Sequence, residues 1–101
     1  IFTEFKGALT EQYVLQQLIP RYDLCYYSKA NSTQEIDFLL QDDEDEIVPL
    51  EVKAETNVKA KSLRLFVSDN NIKKAYRISM NDYKQEEWVT NVPLYAVNSV
   101  L

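Results

Sequence analysis

The feature that most constrains the fold is the stretch 35–53, EIDFLLQDDEDEIVPLEVK, in which two apolar runs flank five consecutive acidic residues. Both runs, 35–41 and 47–55, have the length and alternation that are typical of β-strands. The acidic residues 42–46 predict a solvent-exposed turn between them. Together they predict a β-hairpin, with a break or bulge at Pro49 because proline donates no ladder hydrogen bond.

The polar positions of this predicted hairpin hold two carboxylates and a lysine. Residues two apart on a strand project to the same face, about 6–7 Å apart, so Glu51 and Lys53 share a face. If the hairpin closes in register, Asp37 lies beside Glu51 on the neighbouring strand. Alternation also assigns Asp37 to the face opposite the apolar one, which is formed by Ile36, Phe38 and Leu40.

The rest of the chain predicts an α/β domain with a mixed sheet. Apolar residues at helical spacing ahead of Pro20 predict a helix over 3–19. After it we expect a strand meander at 23–55, a crossover helix at 57–70 and two further strands at 74–80 and 92–100, with a loop between the last two. The 101 residues are expected to form a single domain. Because the chain begins with Ile1, we expect it to be a fragment of a longer protein.

Composition excludes several kinds of chemistry. The chain has no histidine and one cysteine, Cys25, so it lacks the groups for serine–histidine catalysis, an internal disulfide or most zinc sites. Cys25 is predicted to be a buried thiol. Trp88 and the tyrosines are predicted to lie in the core and on strand faces and not to serve as platforms for base stacking. No apolar run approaches the roughly 20 residues that span a membrane, and no signal peptide is visible, so we expect a cytoplasmic protein.

Charge is unevenly distributed along a chain whose net charge is −5. An acidic domain gains nothing from the counterion release that drives non-specific nucleic-acid binding. The five like charges of the turn 42–46 are also expected to repel DNA phosphates beside the site, which counts against an active DNA nuclease. The second half nevertheless concentrates basic residues, which form either a phosphate-contacting patch or an ordinary solvated face: Lys53, Lys59, Lys61, Arg64, Lys73, Lys74 and Arg77.

The carboxylates and the lysine suit metal-dependent phosphodiester hydrolysis. Two or three carboxylates on a rigid base hold Mg²⁺ or Mn²⁺ and leave positions open for water and a phosphate oxygen. A nearby lysine orients or deprotonates the water and neutralises charge on phosphorus. In this interpretation Asp37, Glu51 and Lys53 are catalytic, and Asp37 and Glu51 hold the metal. The alternative is a solvated strand ladder with a salt bridge between Glu51 and Lys53.

Two resemblances extend this interpretation. Asp37 followed by Glu51-Val52-Lys53 on adjacent predicted strands, after a helix that carries Glu11, resembles the PD-(D/E)XK nuclease superfamily, the restriction-endonuclease-like fold. Over nearly the whole chain the sequence is similar to the C-terminal domain of unknown function of prokaryotic AAA-type ATPases. The segments that carry the second resemblance are Gly7 with Glu11, EIDF at 35–38, EVKA at 51–54 and RIS at 77–79.

These resemblances imply a restriction-endonuclease-like α/β fold and a Mg²⁺-dependent nuclease that acts on DNA or RNA. They further imply that Glu11 joins Asp37 and Glu51 as a ligand of the metal or a support of its ligands; the alternative for Glu11 is an ordinary charge on the helix surface. They also imply an N-terminal ATPase region as a partner, since this chain has one glycine and no phosphate-binding loop of its own. Ile36 stands where the superfamily often has proline, and Gln12 where the narrower family often has asparagine. Because a fold can lose its chemistry, the alternative is an inactive module that engages the ATPase, a partner protein or nucleic acid.

Overall fold

The computed structural model describes residues 2–28, 35–53 and 61–101. In these ranges the chain forms a six-stranded sheet with helices on both faces. The elements follow one another as α1 (Phe2–Leu18), β1 (Leu24–Ser28), β2 (Glu35–Gln41), β3 (Ile47–Val52), α2 (Lys61–Asp69), β4 (Tyr76–Ser79), β5 (Lys84–Gln85), β6 (Thr90–Pro93), a 3₁₀ turn (Leu94–Ala96) and α3 (Val97–Val100).

The strand order in the sheet is β1-β2-β3-β4-β6-β5. The first three strands form an antiparallel meander, β3, β4 and β6 are parallel neighbours, and β5 is antiparallel to β6. The predicted α/β class, mixed sheet and crossover helix are therefore confirmed, since α2 connects the parallel strands β3 and β4. The carboxyl ends of β3, β4 and β6 consequently lie along one edge of the sheet.

Two apolar clusters hold the layers together. On one face α1 and α3 pack against the sheet, in a cluster that includes Val14, Leu18, Leu50, Ile78 and Val97. On the other face α2 packs against β2 and β3, in a cluster that includes Ile36, Leu63, Phe66, Ala75 and Val89. Because β3 is central and covered on both sides, its residues 48–52 are all buried. A charged residue on this strand is therefore removed from water.

The alternation predicted for β2 is interrupted by a β-bulge. Where β1 advances by two residues, from Cys25 to Tyr27, β2 advances by three. β2 therefore carries one extra residue at 37–38, and the side chains before and after it change faces. The prediction that Ile36 shares a face with Phe38 is wrong, because Ile36 packs with α2 and Phe38 packs with α1.

The acidic turn 42–46 joins β2 to β3 as predicted. The Oδ1 atom of Asp42 accepts hydrogen bonds from the backbone N–H groups of Glu44 and Glu46, at 2.9 and 3.0 Å. Asp45 adopts a left-handed conformation, with φ of 61°, which aspartate tolerates better than most residues. The carboxylate of Asp42 and the backbone conformation of Asp45 therefore shape the turn.

The last predicted strand, 92–100, is wrong for most of its length. β6 ends at Pro93, and the chain continues as the 3₁₀ turn and α3. The apolar side chains that turn inward here are Leu94, Val97 and Leu101. Their spacing of three and four residues is that of one helix face and not that of a strand.

Other predictions meet mixed outcomes. The strand predicted at 47–55 ends at Val52. The turn 31–34, Lys59 and the first part of the crossover helix lie outside the described residues. In the part of the chain that the structure describes, no helix is both long and apolar enough to cross a membrane.

The predicted burial of Cys25 is wrong, and several of the tyrosines are exposed as well. Cys25 is exposed, because it lies on β1, which forms an edge of the sheet. Tyr26, Tyr83 and Tyr95 likewise expose more than half of their surface. Their rings are therefore accessible to solvent or to a ligand.

Candidate active site

The predicted site residues come together at one end of the β2–β3 hairpin. The two strands pair with Phe38 opposite Leu50, so one further step in the same register places Asp37 opposite Glu51. Lys53 follows β3 directly, and its backbone N–H continues the ladder to β4 by donating to the Ile78 carbonyl at 2.8 Å. The predicted hairpin is thus confirmed from Gln41 and Ile47 to Phe38 and Leu50, next to the site residues.

Asp37 is fixed by a backbone contact across the hairpin. Its Oδ2 atom accepts a hydrogen bond of 2.7 Å from the N–H of Val52. Asp37 lies within the β-bulge, and a bulge redirects side chains and interrupts the regular ladder. This irregularity gives the carboxylate access to the N–H of the residue between Glu51 and Lys53.

Glu51 and Lys53 form an ion pair on the face that both share, as the strand periodicity predicts. The Lys53 Nζ atom lies 3.1 Å from Glu51 Oε1. The lysine side chain is 38% exposed and the glutamate side chain 10%. The pair therefore connects a buried carboxylate to a cation that reaches solvent at the edge of the sheet.

The second oxygen of Glu51 is buried without compensation. Among the described residues, no donor hydrogen-bonds to Oε2. Burial raises the pKa of Glu51 above its usual value, the hydrogen bond and charge of Lys53 lower it in part, and the charge of Asp37 raises it further. A buried anionic oxygen without a partner is costly, and a cation beside it would remove that cost.

Glu11 reaches the site from α1, so the site draws on both sides of the sheet. Burial, the charge of Asp37 and a hydrogen bond with Asp37 raise the pKa of Glu11, while Lys53 lowers it. In the protonated form Glu11 donates this hydrogen bond to Asp37. Glu11, Asp37, Glu51 and Lys53 therefore interact as one electrostatic group.

The carboxylates of the site are the type of ligand that a hard divalent cation requires, and two of them lie close enough to each other to share one. Carboxylate oxygens are the ligands that Mg²⁺ and Mn²⁺ prefer, and Mg²⁺ is commonly held by one or two carboxylates with water and substrate oxygens completing the shell. In the described part of the chain, no three acidic, histidine or cysteine side chains are arranged around a single point. The unpartnered oxygen of Glu51 and its neighbour Asp37 are the pair that fits best.

A second polar group lies beside the first, and the sequence alone did not identify it as such. In the parallel register, Glu51 is next to Arg77 on β4, and Arg77 is next to Asn91 on β6. Arg77 donates hydrogen bonds to Asn91 Oδ1 at 3.1 Å and to Glu86 Oε2 at 3.0 Å. Arg77 and Ser79 are two residues apart on a predicted strand, which indicates a polar face. Their shared partner Asn91 could not be identified from the sequence, because the contact depends on the pairing of β4 with β6.

These residues line a groove that adjoins the site. It has a volume of about 430 Å³ and is lined by Arg77, Asn81, Asp82, Tyr83, Lys84, Glu86 and Asn91. We call it the Arg77 groove. Because Arg77 and Glu51 are register neighbours, the groove begins one strand away from the carboxylates.

Three of the described basic residues from the second half of the chain have separate partners. Arg77 is largely buried and paired with Glu86, whereas Lys73 pairs with Glu46 far along the sheet surface. Arg64 lies over the ring of Trp88, with its guanidinium carbon 5.8 Å from the ring centroid. Of the three, Arg77 is the one that lies next to Glu51 in the sheet register.

The acidic turn lies at the opposite end of the hairpin from the site. Asp37 is near the start of β2 and Glu51 near the end of β3, whereas residues 42–46 connect the other ends. The four residues from Asp37 to Gln41 span about 13 Å of extended chain. The expected repulsion of phosphates beside the site therefore does not arise from this turn.

Comparison with known proteins gives one match. The family described as a domain of unknown function, DUF4143, matches residues 6–97. The matched region includes the helix that carries Glu11 and the hairpin that carries Asp37, Glu51 and Lys53. No curated protein and no solved structure matches the chain.

Proposed function

The chain belongs to the DUF4143 family, a domain of unknown function, and from its site we propose that it is a nuclease domain that hydrolyses phosphodiester bonds with a bound Mg²⁺ or Mn²⁺. The observation that carries the proposal is the convergence of Asp37, Glu51 and Lys53 at the carboxyl end of β3, with one buried oxygen of Glu51 unpartnered among the described residues. Ligand sites in open α/β sheets commonly lie at this edge.

Each residue has a distinct role in this proposal. Asp37 and Glu51 hold the metal ion, and Glu11 supports it through its hydrogen bond with Asp37. When bound, the ion polarises a phosphate oxygen and lowers the pKa of a coordinated water. Lys53, whose ammonium group is partly exposed, orients the attacking water and neutralises charge that develops on the phosphate.

The wider architecture supports the same proposal. A helix with a glutamate, an antiparallel meander, a crossover helix and further strands follow in the order expected for a restriction-endonuclease-like fold. We therefore include this fold in the proposal, and with it an AAA-type ATPase region as the partner and DNA or RNA as the substrate.

One observation favours a second candidate, an inactive module that engages a partner protein, the ATPase or nucleic acid. The carboxylates contact neighbours in the group, Glu51 through Lys53 and Glu11 through Asp37. A group stabilised in this way need not bind a metal. The two candidates make opposite predictions for cleavage and for metal binding.

The first prediction concerns cleavage. We expect the chain to cut supercoiled plasmid, single-stranded DNA or RNA in Mg²⁺ or Mn²⁺ and not in EDTA. Asp37→Asn and Lys53→Ala should each lower the rate about 100-fold or more, since each removes a group that acts on the ion, the water or the phosphate.

Exposed residues away from the site supply matched controls for this assay. Asp43→Asn and Lys74→Ala change the same residue types and should leave the rate unchanged. Cleavage that survives Asp37→Asn and Lys53→Ala would identify a contaminating nuclease. If no substrate is cut by the unaltered chain, the nuclease proposal is wrong and the inactive module replaces it.

A further inference from the structure

The Arg77 groove is held in shape by a buried amide. Asn91 is 2% exposed and makes four hydrogen bonds with its side chain. Its Oδ1 accepts from Arg77 Nε and from Ser79 Oγ, and its Nδ2 donates to the carbonyls of Asn81 and Asp82. The floor of the groove and the loop at its rim are therefore fixed to each other before any ligand binds.

Arg77 is held with comparable precision. Its two hydrogen bonds, to Asn91 and Glu86, use two of the five N–H donors of a guanidinium group. Within the described part of the chain Arg77 makes these two hydrogen bonds. The other N–H groups of its guanidinium group can therefore donate to a ligand. A largely buried ion pair contributes little net stability because of its desolvation cost. A rigid arginine on the wall of an open groove is better explained by recognition than by stability.

The aromatic residue of the groove is exposed. Tyr83 lines it and exposes 54% of its surface. An exposed ring beside fixed carboxylate and guanidinium groups matches a planar ligand with donors and acceptors at its edge, such as a nucleobase. The volume of about 430 Å³ is within the range of small-ligand sites.

The net charge of the chain indicates how nucleic acid would be held. At −5 the domain gains little from phosphate neutralisation with either a duplex or a single strand, so contacts to the bases have to supply the affinity. Stacking on an aromatic ring is worth about 1–3 kcal/mol per base and requires bases that are accessible outside a duplex. The groove residues therefore favour a single strand.

We propose that the Arg77 groove binds an unpaired nucleobase of the substrate strand, within a nucleotide or two of the scissile phosphate. The proposal rests on the proposed nuclease function and narrows its substrate to nucleic acid that is single-stranded at the site. The base stacks on Tyr83, and Arg77 donates hydrogen bonds to acceptors on its edge. Neighbouring strands are about 4.8 Å apart, so a base in the groove places its backbone next to Glu51.

Binding of a labelled oligonucleotide in EDTA tests this inference without depending on cleavage. The probe is a labelled single-stranded DNA of mixed sequence that contains 2-aminopurine. Binding is measured by the anisotropy of the label and by the fluorescence of the 2-aminopurine. We expect the single strand to bind more tightly than its duplex, with quenching of the 2-aminopurine. Tyr83→Ala should weaken binding about 5- to 150-fold, whereas Tyr83→Phe should retain it because the ring supplies the stacking.

Tyr95→Ala is the matched control, since Tyr95 is 82% exposed and lies outside the groove lining. Equal affinity for single strand and duplex, or equal effects of Tyr83→Ala and Tyr95→Ala, would overturn the inference, as would absence of binding. The outcome is separable from that of the cleavage assay. Binding that depends on Tyr83, without cleavage, would support base binding in the Arg77 groove and reject the nuclease proposal. Cleavage together with binding that does not depend on Tyr83 would support the nuclease and reject base binding in the groove.

Discussion

At the scale of the residue, Glu51 is the side chain whose environment most clearly opposes its charge. It lies on the central strand, is 7% exposed, and has one oxygen without a partner among the described residues. Burial raises its pKa above 4.5 despite the ion pair with Lys53. Between its ordinary pKa and its raised pKa, Glu51 is therefore protonated in a larger fraction of folded than of unfolded chains.

The second prediction follows from this difference. The stability that Glu51 contributes is fully present below about pH 4.5 and is lost as the pH rises through its raised folded pKa. Glu51→Gln, which resembles the protonated form, should raise the free energy of unfolding at pH 7 by about 1 kcal/mol. The difference should disappear near pH 4.5. Urea unfolding at both pH values measures this.

Glu87→Gln is the control for that experiment because Glu87 is exposed, and it should change stability by less than about 0.5 kcal/mol. A Glu51→Gln protein that is less stable than the unaltered chain at pH 7 would contradict the prediction. It would mean that the ion pair with Lys53 outweighs the cost of burying the charge.

The spacing of Asp37, Glu51 and Lys53 was predictable from the sequence because it depends on strand periodicity and on one hairpin. The interaction of Glu11 with Asp37 was predictable only from the family resemblance, since it requires the position of α1 against the sheet. The role of Asn91 in holding the groove was not predictable, because Asn91 contacts Arg77 and Ser79 only through the parallel pairing of β4 with β6.

At the scale of the element, α2 ends in a motif that depends on one residue. Asn71 adopts a left-handed conformation, with φ of 52°. The N–H of Ile72 donates to the Val67 carbonyl at 3.1 Å, and both side chains belong to the cluster under α2. This is the Schellman arrangement, which closes the carboxyl end of a helix and directs the chain towards β4.

The third prediction concerns this end of the helix. Asn71→Ala should destabilise the fold by about 1 kcal/mol, because a Cβ branch without the local hydrogen bonding of asparagine disfavours the left-handed conformation. Asn71→Gly should be neutral or stabilising, because glycine has no such penalty. Thermal or urea unfolding compares the three proteins. Equal losses for alanine and glycine would show that the asparagine side chain, and not its backbone conformation, stabilises the turn.

Element bounds were predictable where the local pattern was unambiguous, and not elsewhere. β2 spans the predicted residues 35–41, because its alternation and the following acidic turn agree. The tail after Pro93 has apolar residues that fit a strand or a helix over a short stretch, and packing against α1 selects the helix. The bulge at 37–38 had no local signal, since it arises from pairing with β1.

At the scale of the whole molecule, the site connects elements that are distant in sequence. Glu11 comes from α1 on one face of the sheet, and Glu51 and Lys53 from the face that also bears Arg77. Asp37 bridges the two through the bulge and the N–H of Val52. A ligand that draws these groups together would therefore stabilise the packing of α1 against the sheet and not only the hairpin.

The fourth prediction is that a divalent cation stabilises the whole fold. Mg²⁺ that binds the folded chain alone raises the free energy of unfolding by about 2.7 kcal/mol at one hundred times its Kd. In a chain of this size, each 1 kcal/mol raises the Tm by about 4–8 °C. Titration of MgCl₂ at constant ionic strength, followed by thermal unfolding, measures the shift.

Asp37→Asn should abolish the rise in Tm, because it removes a carboxylate that the proposed site requires, whereas Asp43→Asn in the exposed turn should leave it intact. The comparison separates a specific site from general screening of an acidic chain, since screening would act on both variants alike. An equal rise in both variants would assign the effect to screening. No rise in any of the three proteins would reject the metal site and favour the inactive module, in which Lys53 is the cation that stabilises Glu51.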